Sequence, residues 1–354
     1  MHGLYPSKGG KMQLNIRTAD SNDSNSWDNY VLNHPSGTVS HLTAWKNVVE
    51  KTFGHPSTYL IAEQDETICG LFPMFEIRSL LFGHSFISMP FAEIGGPIAE
   101  TEEIEQALVK EASKITEAKN TQYLEIRNRK KMPGLEIKSL YFNFRKEIFS
   151  DHDQNLKAIP RKSRAMVRNA IKKGLISETG HHLLDEFHKI LALNYHRLGT
   201  PIFSKTFFKN FLEEYKENAN ILVVRSEKGE LIAAVLFFLF KDQMLPYYAG
   251  SDFKFRHLGP NDFMYWELMK LAVEKGCRIF DYGRSKKGTG SFSFKKHWGF
   301  KPEPLAYQYY LAQAEDMPNL SPANPKYQKK IQMWQKMPHT LTKFLGPLIS
   351  KNLA

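Results

Sequence analysis

Between Ser251 and Phe300 the chain collects side chains able to hold an anion. The turn Arg256-His257-Leu258-Gly259-Pro260-Asn261 places an arginine, a glycine and a prospective N-cap, Asn261, directly ahead of a predicted helix. Free backbone N–H groups at a helix start favour a negative group. Past that helix the strand Cys277–Tyr282 feeds a glycine-rich basic loop, Gly283-Arg284-Ser285-Lys286-Lys287-Gly288-Thr289-Gly290. The stretch reads as built to hold a phosphate-bearing molecule. Asp281 ends its strand beside a loop, where functional groups concentrate. It has three readings: orienting an amine, accepting that amine's proton, or pairing with Arg284. Tyr248, with Tyr247 on the preceding strand, offers either a hydroxyl to the same pocket or a phenol buried in the core. Lys295 lies in an apolar–polar alternation, Phe292–Phe300, that predicts a strand; on its own terms it is an exposed edge charge.

A second cationic cluster occupies residues 159–175, IPRKSRAMVRNAIKKGL. Pro160 suits a helix start and Gly174 its end. Arg161, Arg164, Arg168 and Lys172 recur at three- and four-residue steps and so share one face. No acidic residue falls between Pro160 and Ser177, so the face cannot neutralise itself within the helix. It is either a solvated charge run or a grip for phosphates, on a nucleotide-linked precursor or on RNA. Arginine suits bidentate phosphate contact better than lysine, and three of the four are arginine.

The elements that must position these groups belong to a chain of 354 residues, enough for two domains. With 42% hydrophobic and 13% aromatic residues it can bury its cores, which excludes a disordered chain. A net charge of +11 points to polyanionic partners: nucleic acid, a nucleotide-activated substrate, or an acidic membrane surface. Cys69 and Cys277 are the only cysteines and the histidines are scattered, so neither a disulfide framework nor a metal site is expected. No run reaches the roughly 18 apolar residues of a membrane span, and the polar opening stretch has no signal-peptide core. The expectation is a cytoplasmic protein without a transmembrane segment.

Residues 1–25 read as a flexible start. Short helices follow at Trp27–Leu32 and Leu42–Thr52, then a hairpin from Tyr59 to Ile77, a strand over Ser85–Ile94, a helix from Glu102 to about Lys119, and the strand Tyr123–Arg127. The second half repeats the order with strands at Ile221–Val224, Glu230–Phe240 and Met244–Ala249, the helix from Phe263 to about Lys275, and the strand around Asp281. Ile61 and Val223, Gly96 and Gly250, and Glu125 and Asp281 lie at nearly one offset. Together they argue for an internal duplication. The expected fold is α/β (α+β): two tandem GNAT-like units with mixed, mainly antiparallel sheets, over residues 26–150 and 151–312. A linker and C-terminal helical tail, 313–354, would dock on the body in preference to contacting a membrane.

That element order is the one of a GNAT-type acyltransferase, in which a turn patterned Gln/Arg-x-x-Gly-x-Gly/Ala cradles the pyrophosphate of an acyl-CoA. Arg256 and Gly259 fit it, and Asn261 replaces the last small residue. The chain further resembles the FemAB-like branch of the superfamily, in the group associated with the PEP-CTERM and exosortase sorting system. The resemblance rests on IPRKSRAMVRNAIKKGL, LGTPIFS, PNDFMYWELM, FDYGRSKKGTGSFSFKKHWGF and NPKYQ, from about Asn155 onward. It implies a BioF2-like acetyltransferase domain and transfer of an acyl or aminoacyl group to an amine of a cell-envelope or exopolysaccharide precursor. The acceptor would be nucleotide-linked or lipid-linked. Acyl-CoA or aminoacyl-tRNA would be the co-substrate, with no metal. The resemblance also matches Phe294-Lys295 to a Phe-Lys pair that sets a lysine by the reacting carbonyl, where it would stabilise the oxyanion. The helical coiled-coil arm that some relatives use for tRNA has no counterpart here, which counts against tRNA as donor, while acyl-CoA stays open through Arg256 and Gly259. A reading from another class is a catalytically dead duplicate that binds nucleic acid or serves assembly.

Overall fold

The computed structural model describes residues 13–79, 83–318 and 325–353. The first unit runs β1 (Leu14–Thr18), α1 (Ser24–Asn33), α2 (Thr43–Phe53), β2 (Ser57–Gln64), β3 (Thr67–Ser79), β4 (Gly83–Ile87), β5 (Ile98–Ala99), α3 (Glu102–Ala118) and β6 (Tyr123–Asn128). Then come β7 (Glu136–Lys138), β8 (Tyr141–Glu147), α4 (His152–Ala158), α5 (Arg161–Lys172) and β9 (Ile176–Thr179). The second unit continues with α6 (Leu184–Leu198), α7 (Lys205–Tyr215), β10 (Ala219–Arg225), β11 (Leu231–Phe240), β12 (Gln243–Ser251), α8 (Pro260–Glu274), β13 (Ile279–Asp281), β14 (Ser285–Lys286) and α9 (Gly290–His297). The chain closes with β15 (Pro302–Pro304), β16 (Ala306–Leu311), α10 (Pro325–Lys336) and α11 (His339–Ser350).

The expected mixed α/β duplication is observed. One sheet is ordered β1-β2-β3-β4-β6-β16-β7 and the other β14-β8-β13-β12-β11-β10-β9, each with one further short strand. Antiparallel hairpins β2–β3 and β10–β11 recur in both. So does one parallel pair: β4 with β6 through Phe86–Leu124 and Ile87–Glu125, and β12 with β13 through Gln243–Ile279 and Met244–Phe280. Each parallel pair holds over two residues and the strands then part. The wedge they leave opens at the strand ends, where a loop or a ligand can enter.

The two sheets do not follow the 26–150 and 151–312 division. Strand β8, drawn from the chain between the units, pairs with β13 and β14 of the second sheet. Strand β16 crosses back and lies between β6 and β7 of the first. Each unit is therefore closed by a strand beyond its own sequence span. The first unit also begins earlier than expected, since Leu14–Thr18 pair with β2 within the stretch read as flexible. Ser21–Asp23 form a helical turn and α1 starts at Ser24, also within that stretch; residues 1–12 lie outside the described residues, as does most of the proline-punctuated linker.

Burial ties the units further. A single apolar cluster joins Trp45, Val48 and Phe75 of the first unit to Phe207, Phe211, Phe238 and Tyr248 of the second. Helix α2 packs on α7 with the Trp45 and Phe211 rings 4.7 Å apart. Asn47 Nδ2 donates to Glu214 Oε2 over 2.8 Å. Among the described residues no helix is long and apolar enough to cross a membrane.

Candidate active site

The loop that follows β4, residues 88–97, leaves its sheet and reaches the second unit. Met89 and Phe91 sit at φ of +51° and +63°. Side chains other than glycine rarely adopt that region, and they persist there only when the surroundings over-determine them. Here they do. Trp45 Nε1 donates to the Pro90 carbonyl over 3.1 Å. An Arg127 N–H donates to the Ala92 carbonyl over 2.9 Å. Ring nitrogen Nε2 of His41 donates to the Gly96 carbonyl over 2.9 Å. Burial pushes that imidazole down to about 4, which keeps it neutral. At the far end the Glu93 N–H donates to the Tyr247 hydroxyl of β12 over 2.9 Å. The Tyr307 hydroxyl of β16 donates to the Glu93 carbonyl over 2.5 Å.

This loop delivers the Glu93 side chain onto Gly283. A Cβ added at Gly283 would fall 2.4 Å from Glu93 Oε1, and the residue is at φ +71°. Both the space and the backbone demand glycine. Substitution Gly283→Ala is expected to cost about 1–2 kcal/mol from the left-handed backbone alone and to push the Glu93 carboxylate away. Urea unfolding reads the first effect and loss of turnover the second.

Around that contact lies a charged cluster. Asp281 is buried. Its Oδ1 accepts from the Gly283 N–H over 2.9 Å, and its Oδ2 accepts from Asn143 Nδ2 on β8 over 3.2 Å. Its cationic partner is Arg129, 3.6 Å away, and not Arg284 as the sequence allowed. The Arg284 guanidinium is turned the other way, donating to the Tyr307 hydroxyl over 2.7 Å and lying 4.7 Å from the Tyr141 ring centroid. Arg284 is held by aromatic faces because the Asp281 carboxylate is already engaged by the turn it closes.

Lys295 is buried and sits on α9, not on a strand. The Thr289 hydroxyl caps the helix, accepting from the Phe292 N–H over 3.3 Å. Phe292 packs on Phe142 and Phe144, and Phe294 faces Trp298 one turn on. The alternation of aromatic and polar residues thus resolves at helical spacing. Lys295 Nζ donates to the carbonyls of Gly283 (2.8 Å) and Arg284 (3.0 Å), fixing the turn that faces Glu93. Burial lowers its pKa to about 8, with Glu93 and Asp281 opposing the shift. Burial likewise raises the Glu93 carboxyl above the usual carboxylate range, and Lys295 and Arg284 counter only part of it. Three buried polar atoms on the same segments, Asn143 Oδ1, the Tyr282 hydroxyl and the Ser285 hydroxyl, have no hydrogen-bond partner.

Tyr248 is buried with Phe203, Phe207, Phe208 and Phe211 packed around its ring, its hydroxyl 3.4 Å from the Phe91 carbonyl. The tyrosine that touches Glu93 is Tyr247. A register shift causes this: Tyr248 pairs with Leu236 and Pro246 with Phe237, so Tyr247 bulges out and the alternation breaks.

The turn before α8 is elsewhere. Gly259, at φ +72°, is the N-cap and Pro260 the first helical residue, so Asn261 lies inside the first turn and is exposed. Met166 Cε and Ala170 Cβ of α5 lie 3.4 and 3.8 Å from where a Cβ of Gly259 would sit. Pro260 brings no N–H, and the half-buried Asp262 places a carboxylate there, accepting from Trp298 Nε1 over 2.9 Å. The start of α8 is thus less open to an anion than its sequence suggests. Arg256 is exposed and lies 4.3 Å from the Phe253 ring centroid. Helix α5 buries Ser163, Val167 and Ala170 and turns Arg161, Arg168 and Lys172 to solvent, with Arg164 between and bonded to the Lys157 carbonyl. No carboxylate pairs with Arg161, Arg168 or Lys172 among the described residues. Its first turn meets α9, where the Ser163 hydroxyl donates to the His297 carbonyl over 2.9 Å.

Residues 161–296 match the acetyltransferase (GNAT) domain family. The family is an acyltransferase class and implies use of an acyl-CoA. No curated protein matches the chain in sequence at a significant level. Among solved structures, FemX is 17% identical and shares the fold over 90% of this chain and 100% of its own, with a TM-score of 0.66. A tandem GNAT protein from the clavulanic acid biosynthesis pathway is 9% identical over 86% of this chain and 100% of its own, with a TM-score of 0.56. The C-terminal domain of a putative lysylphosphatidylglycerol synthetase from Agrobacterium fabrum is 14% identical over 82% and 92%, with a TM-score of 0.55. The tandem GNAT-like arrangement expected from the sequence is the one observed. Several cluster members lie outside the GNAT match: Glu93, Arg129, Tyr141, Asn143 and Tyr307. Glu93 was missed by sequence reasoning because Ser85–Ile94 reads as one strand, whereas β4 ends at Ile87.

Two open grooves, of about 500 Å³ beside α3 and about 650 Å³ beside α7, contain no member of this cluster. Among the described residues no group of His, Cys, Asp or Glu could hold a metal ion.

Proposed function

We propose that the protein transfers an acyl or aminoacyl group to an amine at the junction of its two units. The observation that carries this reading is the apposition of Glu93 and Lys295 across Gly283, in a GNAT domain. An amine attacking a thioester or ester carbonyl must lose a proton, and Glu93 is the base placed to accept it. A carboxylate held above its usual range is a stronger base, closer to what neutral-pH catalysis needs. The negative charge that develops on the carbonyl oxygen is met by the Lys295 ammonium, which has three N–H donors and gives two of them to the Gly283 and Arg284 carbonyls. Collapse of the tetrahedral intermediate forms the amide and expels the thiolate or ribose alkoxide, which takes up the proton that Glu93 accepted from the amine. Asp281 is a positioning residue, holding the Gly283 turn through its N–H and Arg129.

The donor's phosphates are assigned to the cationic side of the second unit: Arg256 beside Gly259 and Asn261, and the stripe Arg161, Arg164, Arg168 and Lys172. Arg284, half exposed beside Glu93, faces the acceptor. The partial closure of the α8 start by α5 and Asp262 leaves aminoacyl-tRNA open as donor alongside acyl-CoA. The acceptor is the amine of a nucleotide-linked or lipid-linked precursor of the cell envelope or of an exopolysaccharide. The PEP-CTERM resemblance favours the latter.

The test is incubation of purified protein with acyl-CoA or aminoacyl-tRNA and amine-bearing sugar nucleotides, following thiol or tRNA release. Substituting Arg161→Ala together with Arg168→Ala is expected to raise the donor KM about tenfold or more, since each charge-assisted contact contributes about 1.5–3 kcal/mol. It should leave kcat within about twofold, because uniform binding is what is removed. An unchanged KM would remove α5 from the donor site.

A further inference from the structure

Helix α11 presents the wrong face to its own protein. It buries Thr342, Gly346 and Ser350. It leaves Leu341, Phe344 and Leu348 exposed, at 43%, 73% and 58%. At about 100° per residue these three fall within roughly 60° of one another, opposite the buried set. The orientation is fixed by close packing. A Cβ on Gly346 would lie 2.7 Å from Ile202 Cγ2 and 2.9 Å from the Ile202 backbone N and O. Just past the helix, His55 Nε2 donates to the Lys351 carbonyl over 2.8 Å. The helix cannot roll its apolar stripe inward without losing these contacts. Three large apolar side chains held in a row toward solvent mark an interaction surface.

The charge of the C-terminal segment says what covers the stripe. From Met317 to Ala354 the chain has no Asp or Glu and six lysines: Lys326, Lys329, Lys330, Lys336, Lys343 and Lys351. Lys343 and Lys351, in α11 and directly after it, are exposed. A second copy of this chain docked on the same face would set these lysines against their own kind. An anionic lipid surface complements both parts, apolar side chains entering at the headgroup boundary and lysines meeting lipid phosphates.

We propose that α11 seats the protein on an anionic lipid bilayer, with Leu341, Phe344 and Leu348 as the inserted residues. This rests on the helix alone and not on the transfer chemistry, so either reading can fail without the other.

The experiment is co-sedimentation of the full chain with large vesicles of phosphatidylcholine, with or without about a quarter phosphatidylglycerol, at about 0.1 M and about 0.5 M salt. Binding is expected to the anionic vesicles and to weaken at the higher salt. Phe344→Ser with Leu348→Ser should lower it at least about tenfold by removing most of the inserted area, with Tm unchanged because both side chains are exposed. Lys343→Glu with Lys351→Glu should abolish the preference for phosphatidylglycerol. Equal binding of wild type and the serine variant, or no binding to anionic vesicles, would overturn the proposal. So would a concentration-dependent dimer in light scattering that Phe344→Ser removes, which would assign the stripe to a second copy.

Discussion

Replacing Glu93 with glutamine is expected to lower kcat by about 10²–10⁴-fold, the usual contribution of a positioned general base. Stability should not fall with it. Burial disfavours the charged form of this carboxyl, so its folded-state pKa lies above its unfolded one. Such a group contributes stability that is present at low pH and lost as pH rises through the folded value. At neutral pH the carboxylate is therefore already paid for by its surroundings, and a neutral isostere removes that strain. Glutamine also keeps the shape that sits against Gly283. A variant that unfolds in urea like wild type but turns over two or more decades more slowly separates catalysis from folding. Loss of stability with activity retained would make Glu93 a structural residue instead.

Lys295 carries the second large effect, and it has a pH signature. Its ammonium, lowered to about 8 by burial, is lost as pH rises through that value. If the charge stabilises the oxyanion, kcat falls along a basic limb near pH 8, while Glu93 supplies the acidic limb above the ordinary carboxylate range. Lys295→Met should cost about 10²–10³-fold, the usual loss for one oxyanion donor, and the basic limb should vanish from the residual rate. The same group has an opposite effect on stability. A lysine with a depressed folded-state pKa binds its proton less well when folded, so wild-type stability rises between about pH 8 and the ordinary value of 10.5. That rise should be absent in Lys295→Met. A bell-shaped profile that survives the substitution would exclude Lys295 as its source.

Much of this was legible in the sequence, and the failures share a cause. The stripe Arg161, Arg164, Arg168 and Lys172 was readable because helical periodicity is local, and the structure turns it outward as the spacing required. The repeated hairpins and the helix after each third strand were readable for the same reason. Glu93 was not, since its role depends on a loop 190 positions before Gly283 and Arg284 that sequence spacing cannot bring together. Lys295 was placed on a strand, because Phe-Ser-Phe alternation outweighed the Thr289 cap that starts α9. Tyr248 was preferred to Tyr247 because alternation assumes a regular ladder, which the bulge opposite Leu236 and Phe237 breaks. The exchange of β8 and β16 was invisible. Their patterns fit any half-buried strand, and only packing decides which sheet receives them. Yet those two strands bring Asn143 and Tyr307 to the site, so the exchange that hides the domain boundary also assembles the chemistry.

The central claim is that an amine is acylated at the Glu93–Lys295 junction. It is tested most directly by weighing the acceptor. Purified full-length protein is incubated with an acyl-CoA or an aminoacyl-tRNA and an amine-bearing sugar nucleotide, and the acceptor's mass is followed over time. The expected result is an acceptor heavier by one acyl or aminoacyl group, formed by the wild type and lost together in Glu93→Gln and Lys295→Met. An acylated product that both variants make at the wild-type rate would contradict the account.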